Sequence, residues 1–151
     1  MVIKEVETIE EATICDQLLT KLINEEKEYD DNIADNFVVN GWFTSIYPKD
    51  NKALYIAILD NKIVGYVYVK KMQLGDSNKE KEEAFIDGLY VIEEYRHKGI
   101  ASSLINQAKE WCVNNNIKTI GLNVLCSNER AKSFYYKEGF KDNLVNLKCR
   151  L

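Results

Sequence analysis

Residues 89–101, which read Leu-Tyr-Val-Ile-Glu-Glu-Tyr-Arg-His-Lys-Gly-Ile-Ala, constrain this chain more than any other stretch. A strand-like run ends at Val91, and a helical pattern begins at Gly99. Ile100, Ala101, Leu104, Ile105, Ala108, Trp111 and Cys112 then share one helical face. The first N–H groups of a helix lack intrahelical partners and carry a partial positive charge. A glycine at that point lets backbone approach an anion closely. Arg96 and Lys98 oppose the helix dipole there, so an anion that offsets them explains the composition better than a solvated basic turn. The segment therefore reads as a diphosphate cradle. It contains neither GxxxxGK[ST] nor GxGxxG, which disfavours a nucleotide triphosphatase and a Rossmann dehydrogenase.

The rest of the chain supplies strands and helices around this unit. Val2 to Val6 reads as a strand. Thr8, with Glu11 three residues on, forms a capping box before a helix with an apolar stripe at Ala12, Cys15, Leu18, Leu19, Leu22 and Ile23. An acidic run, Glu25 to Asp31, follows, and a short second helix is expected over Asn32 to Trp42. Ala53 to Leu59 and Lys62 to Lys71 read as strands joined by a two-residue turn at Asp60-Asn61. Ala84 to Val91 is a fourth strand, and Gly88 inside it signals a bulge. Lys118 to Val124 is a fifth strand. Asn128 to Glu138 is a helix closed by Gly139, and Asn143 to Arg150 is a last strand. The order βααβββαβαβ predicts a single mixed α/β domain over residues 1–151 with one central sheet. No linker or repeat divides the sequence, and Pro48 is its only proline.

Two motifs carry a resemblance. Arg96-x-x-Gly99-x-Ala101 resembles the R/Q-x-x-G-x-G/A signature of the GCN5-related N-acetyltransferase (GNAT) family. Asn128 to Phe140, NERAKSFYYKEGF, resembles that family's N-x-x-A-x-x-(L/F)-Y-x-x-x-G-F block. The resemblance implies an acetyl-CoA-dependent N-acetyltransferase with no covalent acyl-enzyme. Its fourth and fifth strands would splay to admit the thioester. Strand-end backbone around Leu89, Tyr90 and Val91 would pair with the pantetheine arm. The turn and helix start at Arg96, His97, Lys98, Gly99, Ile100, Ala101 and Ser102 would hold the diphosphate, and Asn128 would bond the pantetheine. Tyr135 would be the general acid near the sulfur, while Tyr136, its neighbour on the helix, must point elsewhere.

Direct transfer also needs an oxyanion donor, and a strand N–H freed by the bulge near Gly88 can supply it. A lysine-like amine, with a pKa of ~10.4, must lose a proton before attack. Asp87 is the leading base candidate and Glu83 the second; for Asp87, a local bulge contact is the competing role. His97 lies inside the phosphate turn and is not the expected base. Cys126 reads as structural. Trp42, Phe43, Tyr47 and Tyr55 either wall an acceptor pocket or are plain core. The alternative to an enzyme is a non-catalytic acyl-CoA sensor or scaffold on the same fold.

Charge and composition narrow the partners. With 20 basic and 24 acidic residues, the net charge of -4 gives no electrostatic case for nucleic acid or an anionic membrane. The acidic run Glu25 to Asp31 is either a solvated face or an attractor for a cationic amine acceptor. No apolar run approaches the ~20 residues of a membrane span, and no signal peptide opens the sequence. Four scattered cysteines and a single histidine disfavour a structural metal site and read as reduced thiols, so a cytoplasmic location is expected. A homodimer is compatible with the family resemblance.

Overall fold

A computed structural model describes residues 1–47 and 50–151, so Pro48 lies outside the described residues. Five strands form one sheet in sequential order: β1 (Val2–Glu5), β2 (Lys52–Leu59), β3 (Lys62–Gln73), β4 (Glu82–Val91) and β5 (Ile120–Leu122). Pairing is antiparallel from β1 through β4 and parallel between β4 and β5. The α-helices among the described residues are α1 (Ile9–Glu25), α2 (Trp42–Ile46), α3 (Ile100–Asn114) and α4 (Glu129–Lys137), with short 3-10 turns at Glu26–Glu28 and Glu93–Tyr95. The architecture is the mixed α/β sheet expected from the sequence.

Local chemistry explains most of these boundaries. The Thr8 hydroxyl accepts from the Glu11 N–H at 3.1 Å, and the Glu11 carboxylate accepts from the Thr8 N–H at 3.3 Å. A cap of this kind stabilises a helix by about 1 kcal/mol. Asp60 and Asn61 both adopt left-handed backbone, φ 54° and 58°, as a two-residue hairpin turn between β2 and β3 requires. α3 buries Ile100, Leu104, Ile105 and Ala108 against Val64, Val67, Val69, Ala84 and Ile86 on one face of the sheet. α1 and α2 cover the other face over Ile56, Tyr66, Tyr68 and Tyr90. Phe43 of α2 meets Tyr66 and Tyr68 edge to face, both with ring centroids 5.4 Å apart.

Two expected elements differ. The helix expected over Asn32 to Trp42 is replaced by irregular chain, and only Trp42–Ile46 is helical. Asn36 and Gly41 adopt φ 56° and 72°, which interrupts any helix there. Side chains of α1 take up the backbone of the segment instead. Thr20 accepts from the Val39 N–H at 3.0 Å, Asn24 donates to the Phe37 carbonyl at 3.2 Å, and the buried Asp16 accepts from the Phe43 N–H at 2.8 Å. The last strand expected over Asn143 to Arg150 joins no ladder: the stretch is exposed and has no partner strand among the described residues. β5 is also shorter than the expected Lys118 to Val124.

Candidate functional site

β4 and β5 part company midway. Their ladder runs from Ala84–Ile120 to Ile86–Leu122 and stops, while β4 continues to Val91 paired only with β3. The register explains what the gap exposes. The Ile92 N–H donates to the Val64 carbonyl at 2.8 Å, so alternation turns Tyr90 and Gly88 toward β3 and leaves the Leu89 and Val91 backbone facing the gap. The bulge falls where the sequence suggested. Tyr68 pairs with Gly88 and Val69 with Ile86, which leaves Asp87 as the extra residue. Gly88 is required for a further reason: a Cβ there would lie 2.7 Å from the Tyr66 hydroxyl. That hydroxyl is buried and has no hydrogen-bond partner among the described residues. A cleft of about 880 Å³ opens between the strands, lined by the turn before α3, the end of α1 and one side of α4.

At the turn, His97 and Gly99 adopt φ 61° and 79° on either side of Lys98. The first intrahelical bond runs from the Ser103 N–H to the Gly99 carbonyl at 3.1 Å. The N–H groups of Ile100, Ala101 and Ser102 therefore lack helical partners, and they form a concave donor cluster suited to an anion. A Cβ on Gly99 would meet nothing within 4 Å, so the space in front of this backbone is open. A phosphate fits this donor set. The Lys98 ammonium sits 5.3 Å from the centroid of the Tyr95 ring.

Arg96 does something the sequence did not reveal. Its Nε donates to the Val91 carbonyl at 2.8 Å, and a second guanidinium nitrogen donates to Glu25 at 2.8 Å. Glu25 also accepts from the Tyr90 hydroxyl at 2.8 Å, and the guanidinium lies 5.2 Å from the Tyr90 ring centroid. The cation at the start of α3 is thus offset by a carboxylate from the end of α1. The same pairing relieves the mismatch of an acidic residue at a helix C-terminus.

α4 forms the other wall. Asn128 caps it, with its side-chain oxygen accepting from the Ala131 N–H at 3.1 Å, which leaves the amide nitrogen to serve another partner. No residue of α4 is fully buried. The helix is tied to α3 by the Ser102 hydroxyl, which donates to the Glu138 carboxylate, and by Lys109, which donates to the Glu138 carbonyl. Tyr135 lines the cleft and stacks edge to face with Phe134 and Phe140, at 5.2 and 5.7 Å. Burial first, and the nearby Glu26 charge second, push its hydroxyl up to about 12. Tyr136 points away to an exposed bond with Asp142 at 2.6 Å.

The acidic residues that line the cleft are Glu25, Glu26, Glu28, Asp87 and Glu93. Burial, then the charge of Asp30, raises the Glu26 carboxyl above the usual range for glutamate. Asp87 is paired with Lys70 at 3.2 Å. Glu83 and Cys126 lie outside the cleft lining, with Glu83 against Gly121 of β5. None of Trp42, Phe43, Tyr47 and Tyr55 lines it. Phe43 is core, Tyr47 packs against the same cluster, and Tyr55 packs under α3 on the opposite face. Sequence reasoning therefore missed Glu26 as a cleft residue and Glu25 as the partner of Arg96. The only sequence signal for either was membership of the acidic run. No cluster of metal-ligating side chains occurs among the described residues, and no described helix is long and apolar enough to cross a membrane.

Comparison with known proteins agrees with this geometry. Residues 17–140 match the model of the Acetyltransferase (GNAT) family. An N-alpha-acetyltransferase of Saccharolobus solfataricus is 35% identical over 95 residues, which cover 59% of this chain and 56% of that protein. An uncharacterized N-acetyltransferase of Methanocaldococcus jannaschii is 33% identical over 66% of this chain and 58% of its own length. The match thus spans little more than half the length of these relatives. A crystal structure of a mutant BH1408 protein from Bacillus halodurans is 22% identical, with a TM-score of 0.90 over 100% of this chain and 99% of that one. At that identity the likeness shows the fold alone.

Proposed function

The chain belongs to the acetyltransferase (GNAT) family, and from that premise we propose that it transfers an acetyl group from acetyl-CoA directly to the nitrogen of an amine. One observation carries the reading: β4 leaves β5 at Ile86, and a cluster of free helix N–H groups stands at the mouth of the resulting gap. Acetyl-CoA would supply the thioester carbonyl and a thiolate leaving group. The N–H groups of Ile100, Ala101 and Ser102 hold the diphosphate. Gap-facing backbone at Leu89 and the Val91 N–H pair with the pantetheine amides as a further strand would, the Val91 carbonyl being held by Arg96, and the Asn128 amide nitrogen donates to the same arm. Arg96 acts through Glu25 and Val91, fixing the turn relative to α1.

The chemistry follows from what lines the cleft. An N–H beside the bulge at Gly88 donates to the developing oxyanion. The acceptor ammonium gives up its proton to a carboxylate lining the cleft. Glu26 is better suited to take it than Asp87: its raised pKa makes it the stronger base, and Asp87 is engaged by Lys70. Glu26 and Glu28 also favour a cationic acceptor. Tyr135 faces the leaving sulfur. A hydroxyl at about 12 stays protonated at working pH and is a weaker acid than a thiol of ~8.5. Tyr135 therefore stabilises the thiolate as a hydrogen-bond donor, and the nitrogen sheds two protons: the first, lost before attack, goes to Glu26, and the second, lost as the tetrahedral intermediate collapses, converts the departing thiolate to the free thiol.

Replacing Tyr135 with Phe tests the assignment. The loss of this donor should lower kcat by about 10²-fold or more while leaving the Kd for acetyl-CoA unchanged. An unchanged kcat would remove Tyr135 from the reaction.

A further inference from the structure

Tyr66 of β3 is fully buried, yet its hydroxyl has no hydrogen-bond partner among the described residues. An oxygen left in this way costs a fold stability, and phenylalanine would fill the same core without that cost. The sheet sets where the oxygen lies. Tyr66 pairs with Tyr90 and Tyr68 pairs with Gly88, so these four positions share the face that α1 and α2 cover. Gly88 is the diagonal neighbour of Tyr66, within reach of an aromatic side chain. The tip of the ring lies over it. A Cβ on Gly88 would stand 2.7 Å from the hydroxyl, 3.1 Å from Cε2 and 3.3 Å from Cζ. The phenol therefore occupies the room that a side chain at Gly88 would take. Phe43 of α2 meets the ring edge to face, and Cys15 of α1 belongs to the same cluster. Burial pushes the hydroxyl well above the usual tyrosine range, so it stays neutral and is no carrier of protons.

We propose that Tyr66 sets the length of the acyl group this chain accepts, its hydroxyl closing the site behind an acetyl group. The proposal rests on acetyl-CoA occupying the cleft as the transfer reaction requires. With the diphosphate at the start of α3 and the pantetheine arm along Val91 and Leu89, the thioester comes level with Gly88, which lines the cleft. A longer acyl chain has to leave from that point. In the plane of the sheet, the ladder between β4 and β5 closes at Ile86 and Leu122. Toward α3, the buried Val67, Val69 and Ile86 fill the space. The open part of the cleft is the path by which the amine arrives. Toward α1, Gly88 offers no side chain, and the Tyr66 hydroxyl stands in the opening instead. An oxygen and a methylene are about the same size, so deleting this hydroxyl makes room for one further carbon, which is the difference between acetyl and propionyl. The unpartnered oxygen thus does what core packing alone does not ask of it.

Calorimetric titration of the full chain with coenzyme A, acetyl-CoA and propionyl-CoA tests this without turnover. The wild type should bind acetyl-CoA about 10-fold or more tightly than propionyl-CoA, the discrimination expected for one methylene in a closed pocket. In Tyr66→Phe the two affinities should converge. The affinity for unacylated coenzyme A should stay as it was, and Tm should not fall, because the substitution removes an unpartnered polar atom. A side chain that only filled the core would change Tm and leave the ratio of the two affinities alone. Equal affinities in the wild type overturn the proposal, and so does a folded Tyr66→Phe variant that keeps the wild-type ratio. A chain that binds none of the three ligands overturns this proposal together with the transfer reaction. A chain that binds acetyl-CoA but releases no thiol to any amine overturns the transfer reaction alone, and the ratio of affinities still decides the role of Tyr66.

Discussion

Glu25 and Glu26 are neighbours with opposite fates. Glu25 is held by two donors, Arg96 and Tyr90, at 2.8 Å each. Glu26 faces the cleft with burial and the Asp30 charge raising its pKa. A raised carboxyl pKa means that the folded state holds the proton more tightly than the unfolded state. The charged form therefore costs stability, and the cost appears as pH rises from the unfolded value through the folded one. Glu26→Gln should accordingly raise Tm at pH 7, and the gain should close by about pH 3, below the unfolded pKa of ~4.3, where the glutamate is protonated in both states. The same substitution should lower kcat/KM and abolish the acidic limb that Glu26 contributes to the pH profile. If Asp87→Asn removes that limb and Glu26→Gln leaves it, the base is Asp87.

At the scale of elements, the start of α3 bears the strictest demand. Gly99 sits at φ 79° with open space before it. Gly99→Glu would strain the turn and place a negative side chain beside the donor cluster, where positive φ disfavours any L residue. Its affinity for acetyl-CoA, measured by calorimetry, should fall at least 10-fold; undiminished affinity would mean that the anion binds elsewhere. This turn was legible in the sequence because its signals are local: a strand end, a glycine, and a stripe at helical spacing. The Asp60-Asn61 hairpin and the Thr8 capping box were legible for the same reason. The 32–42 segment was not, because Asp16, Thr20 and Asn24 settle its conformation from another element. The pairing of Arg96 with Glu25 spans 71 positions and left no local trace. The strand expected over Asn143 to Arg150 does not form, because alternating apolar residues do not name a partner strand and none pairs with the stretch among the described residues.

At the scale of the whole molecule, the site is assembled from three separated stretches. The end of α1 brings acid, the bulged and unpaired half of β4 brings backbone donors, and α4 brings Tyr135. The two sides of the sheet do different work. α3 buries the larger apolar cluster and presents its free end to the cleft, while α1 and α2 cover the tyrosine-rich face beneath the acceptor end. Fold and turn were readable from order and spacing. The acceptor end was not, since its walls come from residues whose sequence context is an ordinary solvated charge run. The most direct measurement is release of coenzyme A thiol from acetyl-CoA in the presence of polyamines, aminoglycosides, amino acids and short peptides. The account predicts amine-dependent thiol release, strongest with a polycationic acceptor and reduced in Glu26→Gln. Measurable acetyl-CoA binding with no thiol release on any of these amines would contradict it.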